Sequence, residues 1–185
     1  MKLHNVKLVP LAAELDRGLA VVSLRGPLSL GGRMRAWYHL QQTPDGFQMD
    51  PAEIIESDKL LIEAVAELAA ERGKLLLLGF SQGAGMAIRA ALLQPQLVAG
   101  LVSLSGVPPL AAELQPAPPE ALRGLPAFVA HGVHDPLLPI EAGHAIRDIL
   151  TEAGLAVTYR EYQMGHMIVP DELEDLRAWL PSVRA

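Results

Sequence analysis

Ser81, Asp135 and His166 are the residues of this chain whose types and settings point to covalent chemistry. Ser81 lies in "GFSQG" (79–83), directly after four leucines and directly before a helix-forming run, the strand-turn-helix setting in which a serine is presented as a nucleophile. A turn this tight collides with side chains near the strand and the helix, and Gly79 and Gly83 are read as relieving that crowding. The serine itself is forced into a strained conformation, which leaves its hydroxyl exposed. A hydroxyl attacks only when a base takes its proton, and the base must be oriented by an acid. Asp135 in "VHDPLLP" follows the apolar run 125–132, and His166 in "QMGHMIVP" follows 156–162. Both therefore fall on loops after candidate strands.

The backbone amide of Gln82, at the start of a helix, can donate to an oxyanion that develops beside Ser81. Gly85 leaves room for that helix to pack on the strand. No cysteine is present, which excludes a thiol nucleophile, disulfides and thiolate metal sites. His131 and His134 with Asp135 form H-x-x-H-D, but no further ligand clusters there, so they are read as structural histidines and no metal site is assigned. His39 and His144 are read as surface or packing residues, and Glu53, Glu56, Glu63 and Glu67 as the solvated face of a helix.

The elements that must position these residues alternate. Short apolar runs at 18–26, 74–80, 97–106, 125–132 and 156–162 read as strands, most of them continuously hydrophobic as buried parallel strands are. Helices are expected in "LVPLAAELDRG", from Pro51 to Gly73 with Asp50 as N-cap, directly after Ser81, from Pro139 to Glu152, and in "PDELEDLRAWLPSV". Such alternation predicts a doubly wound, mostly parallel sheet with helices on both faces, and in such sheets sites gather beyond the carboxyl ends of the strands. The proline-rich stretch 106–124 reads either as a plain linker or as a stiff flap whose Leu110 and Leu114 border an acyl pocket.

With 185 residues, half of them hydrophobic, the chain suits one domain over 1–185. A net charge of -6, with no basic cluster interleaved with aromatics, argues against nucleic acid. No apolar run approaches the roughly 18 residues of a membrane span, and the N-terminal stretch is too polar for a signal core, so a cytoplasmic protein is expected.

The three motifs resemble those of the phospholipase/carboxylesterase family of α/β-hydrolases, which includes acyl-protein thioesterases. "GFSQGA" is similar to its elbow GFSQGG, "HGVHDPLLP" to its acid loop HGxxDxxVP, and "MGH" to its histidine turn. "RGPLSLGGRMRAWYHL" looks like its segment after an early strand, and the likeness runs over about 8–180. The order Ser, Asp, His is that of an α/β-hydrolase. The resemblance implies the α/β-hydrolase fold, with Ser81 as nucleophile, Asp135 as acid, His166 as base, Gln82 as one oxyanion donor and His131 as a brace of the acid loop. It implies no cofactor and a small acyl ester or thioester as substrate; whether the chain forms a homodimer is left open.

One departure bears on activity. Where the family has a buried strand and an oxyanion loop, this chain has "MKLHN". That strand would lie between those at 18–26 and 74–80, leaving three outcomes: residues 1–4 are a stub of it, the flanking strands pair directly, or the start is internal to a longer chain. The second oxyanion donor is then Gly26 or Asn5. A serine hydrolase of esters or thioesters is the expected function, with a non-catalytic binding protein of the same fold as the alternative.

Overall fold

Antiparallel pairing, rather than the strand expected over 18–26, organises the first part of the chain. The computed structural model describes residues 11, 14–15, 18–32, 34–43, 46–109 and 114–183. They belong to two compact units, Met1–Ser57 and Asp58–Ala185. Of the first predicted helix, Leu11, Glu14 and Leu15 are described and helical, while the stub proposed for residues 1–4 lies outside the described residues.

Within the first unit, residues 19–26 have no regular structure, and Val21 and Val22 are 45% and 58% exposed. β-branched residues favour an extended chain, but a strand also needs a neighbour for its amides. None of the described strands pairs with 19–26, so the direct pairing of the two flanking strands is not among the described pairings. The pairing instead begins with β1 (Leu28–Ser29) against β2 (Arg35–Ala36), closed by Gly31 and Gly32 at positive φ. A second antiparallel pair, β3 (Leu40–Thr43) and β4 (Gly46–Met49), sets Leu40 opposite Met49.

Helix α1 (Pro51–Arg72) starts and stops where its sequence signals indicate. The Asp50 carboxylate accepts the Ala52 N–H at 2.9 Å. Gly73, at φ 79°, ends the helix with its N–H on the Ala69 carbonyl.

The second unit is built on a parallel sheet in the order β5 (Leu75–Phe80), β6 (Val98–Leu104), β7 (Pro126–Gly132) and β8 (Ala156–Tyr162). Its connections carry α2 (Gln82–Leu93), the short α3 (Pro119–Leu122) and α4 (Ile140–Glu152), and α5 (Pro170–Trp179) follows β8. Because the strands succeed one another steadily in one direction, crossovers of one hand must place α2, α3 and α4 on the same face. The core shows this: Ile88, Leu92, Leu122, Ile146 and Leu150 pack with Leu101, Ala127 and Val129 in one cluster. Phe128, pointing the opposite way from its neighbours, meets Trp179 of α5 at a ring separation of 5.7 Å. Each fully buried large side chain contributes about 1.5–3 kcal/mol, so this alternation is what fixes the strand faces.

A buried ion pair joins the start of this unit to α2. Both the Nε and a terminal nitrogen of Arg89 donate to the Asp58 carboxylate, at 2.9 and 2.6 Å. Described residues of the proline-rich stretch touch α2 and the core: the Ala117 N–H donates to the Leu92 carbonyl, and Leu114 packs against the main cluster. Leu114 is half-buried against that cluster; Leu110 lies outside the described residues. No helix among the described residues is long and apolar enough to cross a membrane.

Candidate active site

The site gathers at the carboxyl ends of β5, β7 and β8. Ser81 stands between β5 and α2 with φ 56° and ψ -122°, a strained conformation for a residue that carries a side chain. Backbone bonds hold it there. Its N–H donates to the Leu104 carbonyl, and its own carbonyl accepts the N–H groups of Ala84, Gly85 and Val107.

The two glycines of the elbow differ. A Cβ at Gly79 would fall 2.2 Å from the Gly83 carbonyl oxygen and 2.4 Å from the Ala84 nitrogen, so only glycine fits. A Cβ at Gly83 meets nothing within 4 Å among the described residues, so the expected crowding there is corrected. The helix approaches the strand with its backbone at Gly83, and the space needed is on the strand side.

Asp135 sits on the loop after β7 with its side chain fully buried. Its Oδ1 accepts the N–H groups of Leu137 and Leu138, both at 2.9 Å, leaving Oδ2 for His166. His131 supports the same loop: its Nε2–H donates to the Leu138 carbonyl at 2.8 Å, while its buried Nδ1 has no hydrogen-bond partner among the described residues. Gly143 of α4 closes on it, since a Cβ there would lie 2.7 Å from the His131 Cβ. His134 is on the surface and bonds Gln163. The two histidines of H-x-x-H-D therefore serve different contacts.

The turn after β8 is stitched to the acid loop. Val133 and His134 N–H groups donate to the carbonyls of Tyr162 and Met164. Gly132 lets the loops approach, as a Cβ there would fall 2.5 Å from the Met164 carbonyl oxygen. This brings His166 into line: Nδ1 lies 2.6 Å from Asp135 Oδ2, and Nε2 lies 2.9 Å from Ser81 Oγ. A carboxylate on one ring nitrogen fixes the proton there, so the neutral imidazole turns a lone pair toward the Ser81 hydroxyl. The imidazole is 12% exposed. A hydroxyl, an imidazole and a carboxylate in this sequence can move a proton off the serine and hold the charge that results.

Gln82 is the first residue of α2, next to Ser81. Asn5 lies outside the described residues, and Gly26 belongs to the other unit. There Gly26 is buried, and a Cβ would fall 2.3 Å from the Ala36 carbonyl, which accounts for a glycine at that position.

Three contacts were not legible in the sequence. Phe80, inside the elbow motif, places its ring 4.8 Å from that of His166. Glu53, expected to be solvated, accepts the His39 backbone N–H and pairs with its Nδ1, both at 2.7 Å. Glu172, third residue of α5, is fully buried, and among the described residues neither carboxyl oxygen has a hydrogen-bond partner of normal geometry. Burial pushes its carboxyl up to about 8, against a weaker opposing pull from the Val169 amide. His144 does lie at the surface, bonded to Glu161 at 2.8 Å.

The sequence model of the phospholipase/carboxylesterase family matches residues 22–183. Carboxylesterase SOBER1 of Arabidopsis thaliana is 28% identical over 156 residues, 81% of this chain and 68% of that protein. Acyl-protein thioesterase 1 of Gibberella zeae is 30% identical over 166 residues, 83% of this chain and 70% of that protein. The crystal structure of a Bacillus cereus carboxylesterase superposes with a TM-score of 0.80 at 26% identity, over 95% of this chain and 81% of that one.

Proposed function

Since the chain belongs to the phospholipase/carboxylesterase family of α/β-hydrolase fold, we propose that it hydrolyses small carboxylic esters or thioesters through an acyl-enzyme on Ser81. The observation that carries this reading is the continuous hydrogen-bonded line from Asp135 through His166 to Ser81, with separations of 2.6 and 2.9 Å. Relatives described as a carboxylesterase and as an acyl-protein thioesterase support the class of bond.

In this reading His166 Nε2 takes the Ser81 proton as Oγ bonds to the acyl carbon. The carbonyl oxygen becomes an oxyanion and accepts the Gln82 N–H. Asp135 keeps the imidazole in the productive tautomer and stabilises the imidazolium. As the tetrahedral intermediate collapses, the bond to the alcohol or thiol breaks, and His166 returns the proton to that leaving group. Water, deprotonated by the same imidazole, then releases the acid and restores Ser81. No cofactor takes part in these steps. A second backbone donor belongs to this reading, and its absence would cost about 10²–10³ in turnover.

A fluorophosphonate probe followed by peptide mass analysis tests the reading, together with p-nitrophenyl esters of increasing acyl length and Ser81→Ala as control. An adduct on Ser81 and loss of turnover in the variant are expected. A folded protein that forms no adduct is instead a binding protein of this fold, and equal rates for both proteins would sink the mechanism.

A further inference from the structure

We propose that Phe80 is a positioning residue for His166, its ring holding the imidazole from the flank and stabilising the imidazolium that forms during attack. This rests on the serine-hydrolase reading above. The ring centroids are 4.8 Å apart and the planes are inclined by 46°. That separation is inside the roughly 6 Å within which a cation is drawn to the electron-rich face of an aromatic ring. Asp135 and Ser81 occupy the two ring nitrogens, and such bonds lie close to the plane of the ring. They fix where the nitrogens point but leave the imidazole free to tilt about the line between them. Phe80 closes that remaining freedom.

The elbow explains how two adjacent residues reach one imidazole. Phe80 is the last residue of β5, in register with Leu104 of β6, and the strand holds its backbone. Ser81 then turns to positive φ, so its hydroxyl approaches Nε2 while the preceding ring stays beside the imidazole. A leucine at 80 would fill a similar volume without the quadrupole. The attraction strengthens when the imidazole takes the serine proton, because the ring then carries a full positive charge. Its effect falls on the attack step more than on substrate binding.

The test keeps shape constant and changes only the ring's electrons: Phe80 is replaced by 4-fluoro-, 3,5-difluoro- and 3,4,5-trifluorophenylalanine, beside Phe80→Leu and Phe80→Trp. Each protein is assayed for the rate of fluorophosphonate labelling at Ser81 and for kcat and KM on one p-nitrophenyl ester. The labelling rate and kcat should fall stepwise with fluorination, reaching about tenfold in the trifluoro protein and in Phe80→Leu, with KM unchanged and Phe80→Trp retaining most of the rate. Rates that are flat or that rise across the series overturn the role of Phe80. A wild-type protein that does not label at Ser81 overturns the serine-hydrolase reading itself, so the two failures are told apart.

Discussion

His166 Nε2 and Ser81 Oγ stand 2.9 Å apart although 85 positions separate them in the chain. The two residues follow β5 and β8, the first and last strands of the four-stranded order, and the stitched loops after β7 and β8 close the distance. β5, β6, β7 and β8 lie side by side in parallel register, so their carboxyl ends emerge together, and Ser81, Asp135 and His166 lie one, three and four residues beyond the ends of β5, β7 and β8.

Asp135→Asn should lower kcat by about 10⁴ with the fold intact, the size that loss of the correct tautomer has in serine proteases. The Leu137 and Leu138 amides hold one oxygen, so the substituted amide would offer its NH₂ to His166 Nδ1. The imidazole proton would then move to Nε2, where it cannot accept from Ser81. Kinetics on a p-nitrophenyl ester, with circular dichroism as the fold control, check this.

Gly79→Ala and Gly83→Ala should separate sharply in chemical denaturation. The first drives a methyl into the backbone at Gly83 and Ala84, with distances no adjustment of a side chain can relieve, and should cost 3 kcal/mol or more, on the order of an overpacked core. The second enters open space in the first turn of a helix and should raise stability by about 0.4–1 kcal/mol. Equal losses at both positions would refute the asymmetry of the elbow.

Asp58→Ala should destabilise by about 3–5 kcal/mol, because Arg89, with only 4% of its side chain exposed, would keep a buried charge without its carboxylate. The double variant Asp58→Leu with Arg89→Met should be less harmful than Asp58→Ala alone. Urea unfolding of the three proteins measures the difference.

Glu172 gives the protein a pH dependence of definite sign. Its carboxyl holds a proton up to about pH 8 when folded, whereas an ordinary glutamate gives it up near 4.5. Between these values the folded chain binds the extra proton, so its stability contribution is complete below about 4.5 and is lost as pH rises to 8. The slope approaches about 1.4 kcal/mol per pH unit within that window. Glu172→Gln should flatten the fall in Tm from pH 5 to 8 and leave the variant more stable than the wild type at pH 8. Parallel curves for the two proteins would count against a carboxyl raised by burial.

The periodic segments gave up their structure readily. Asp50 and Gly73 bracket α1 because each signal acts within one turn of the helix it starts or stops. The leucines of 75–78 form a strand because a parallel neighbour, β6, is supplied. By contrast 19–26, with its apolar run Leu19–Val22, stays irregular, since nothing described pairs with it. The short antiparallel pairs at 28–49 were missed because strands of two to four residues are too short for a period to register.

The sequence by itself determined the residue types at the three strand ends, their order, and the glycine that the elbow needs, because each depends on local covalent geometry and nearby chain. Tertiary structure alone decided which Asp135 oxygen faces His166, that Phe80 flanks the same imidazole, that Leu114 packs against the core, and that Glu172 is fully buried. The physical reason is that these are distances between elements far apart in the chain, set by how side chains fill the space between helices and sheet. A linear pattern records which residues are apolar, whereas packing decides what each one touches.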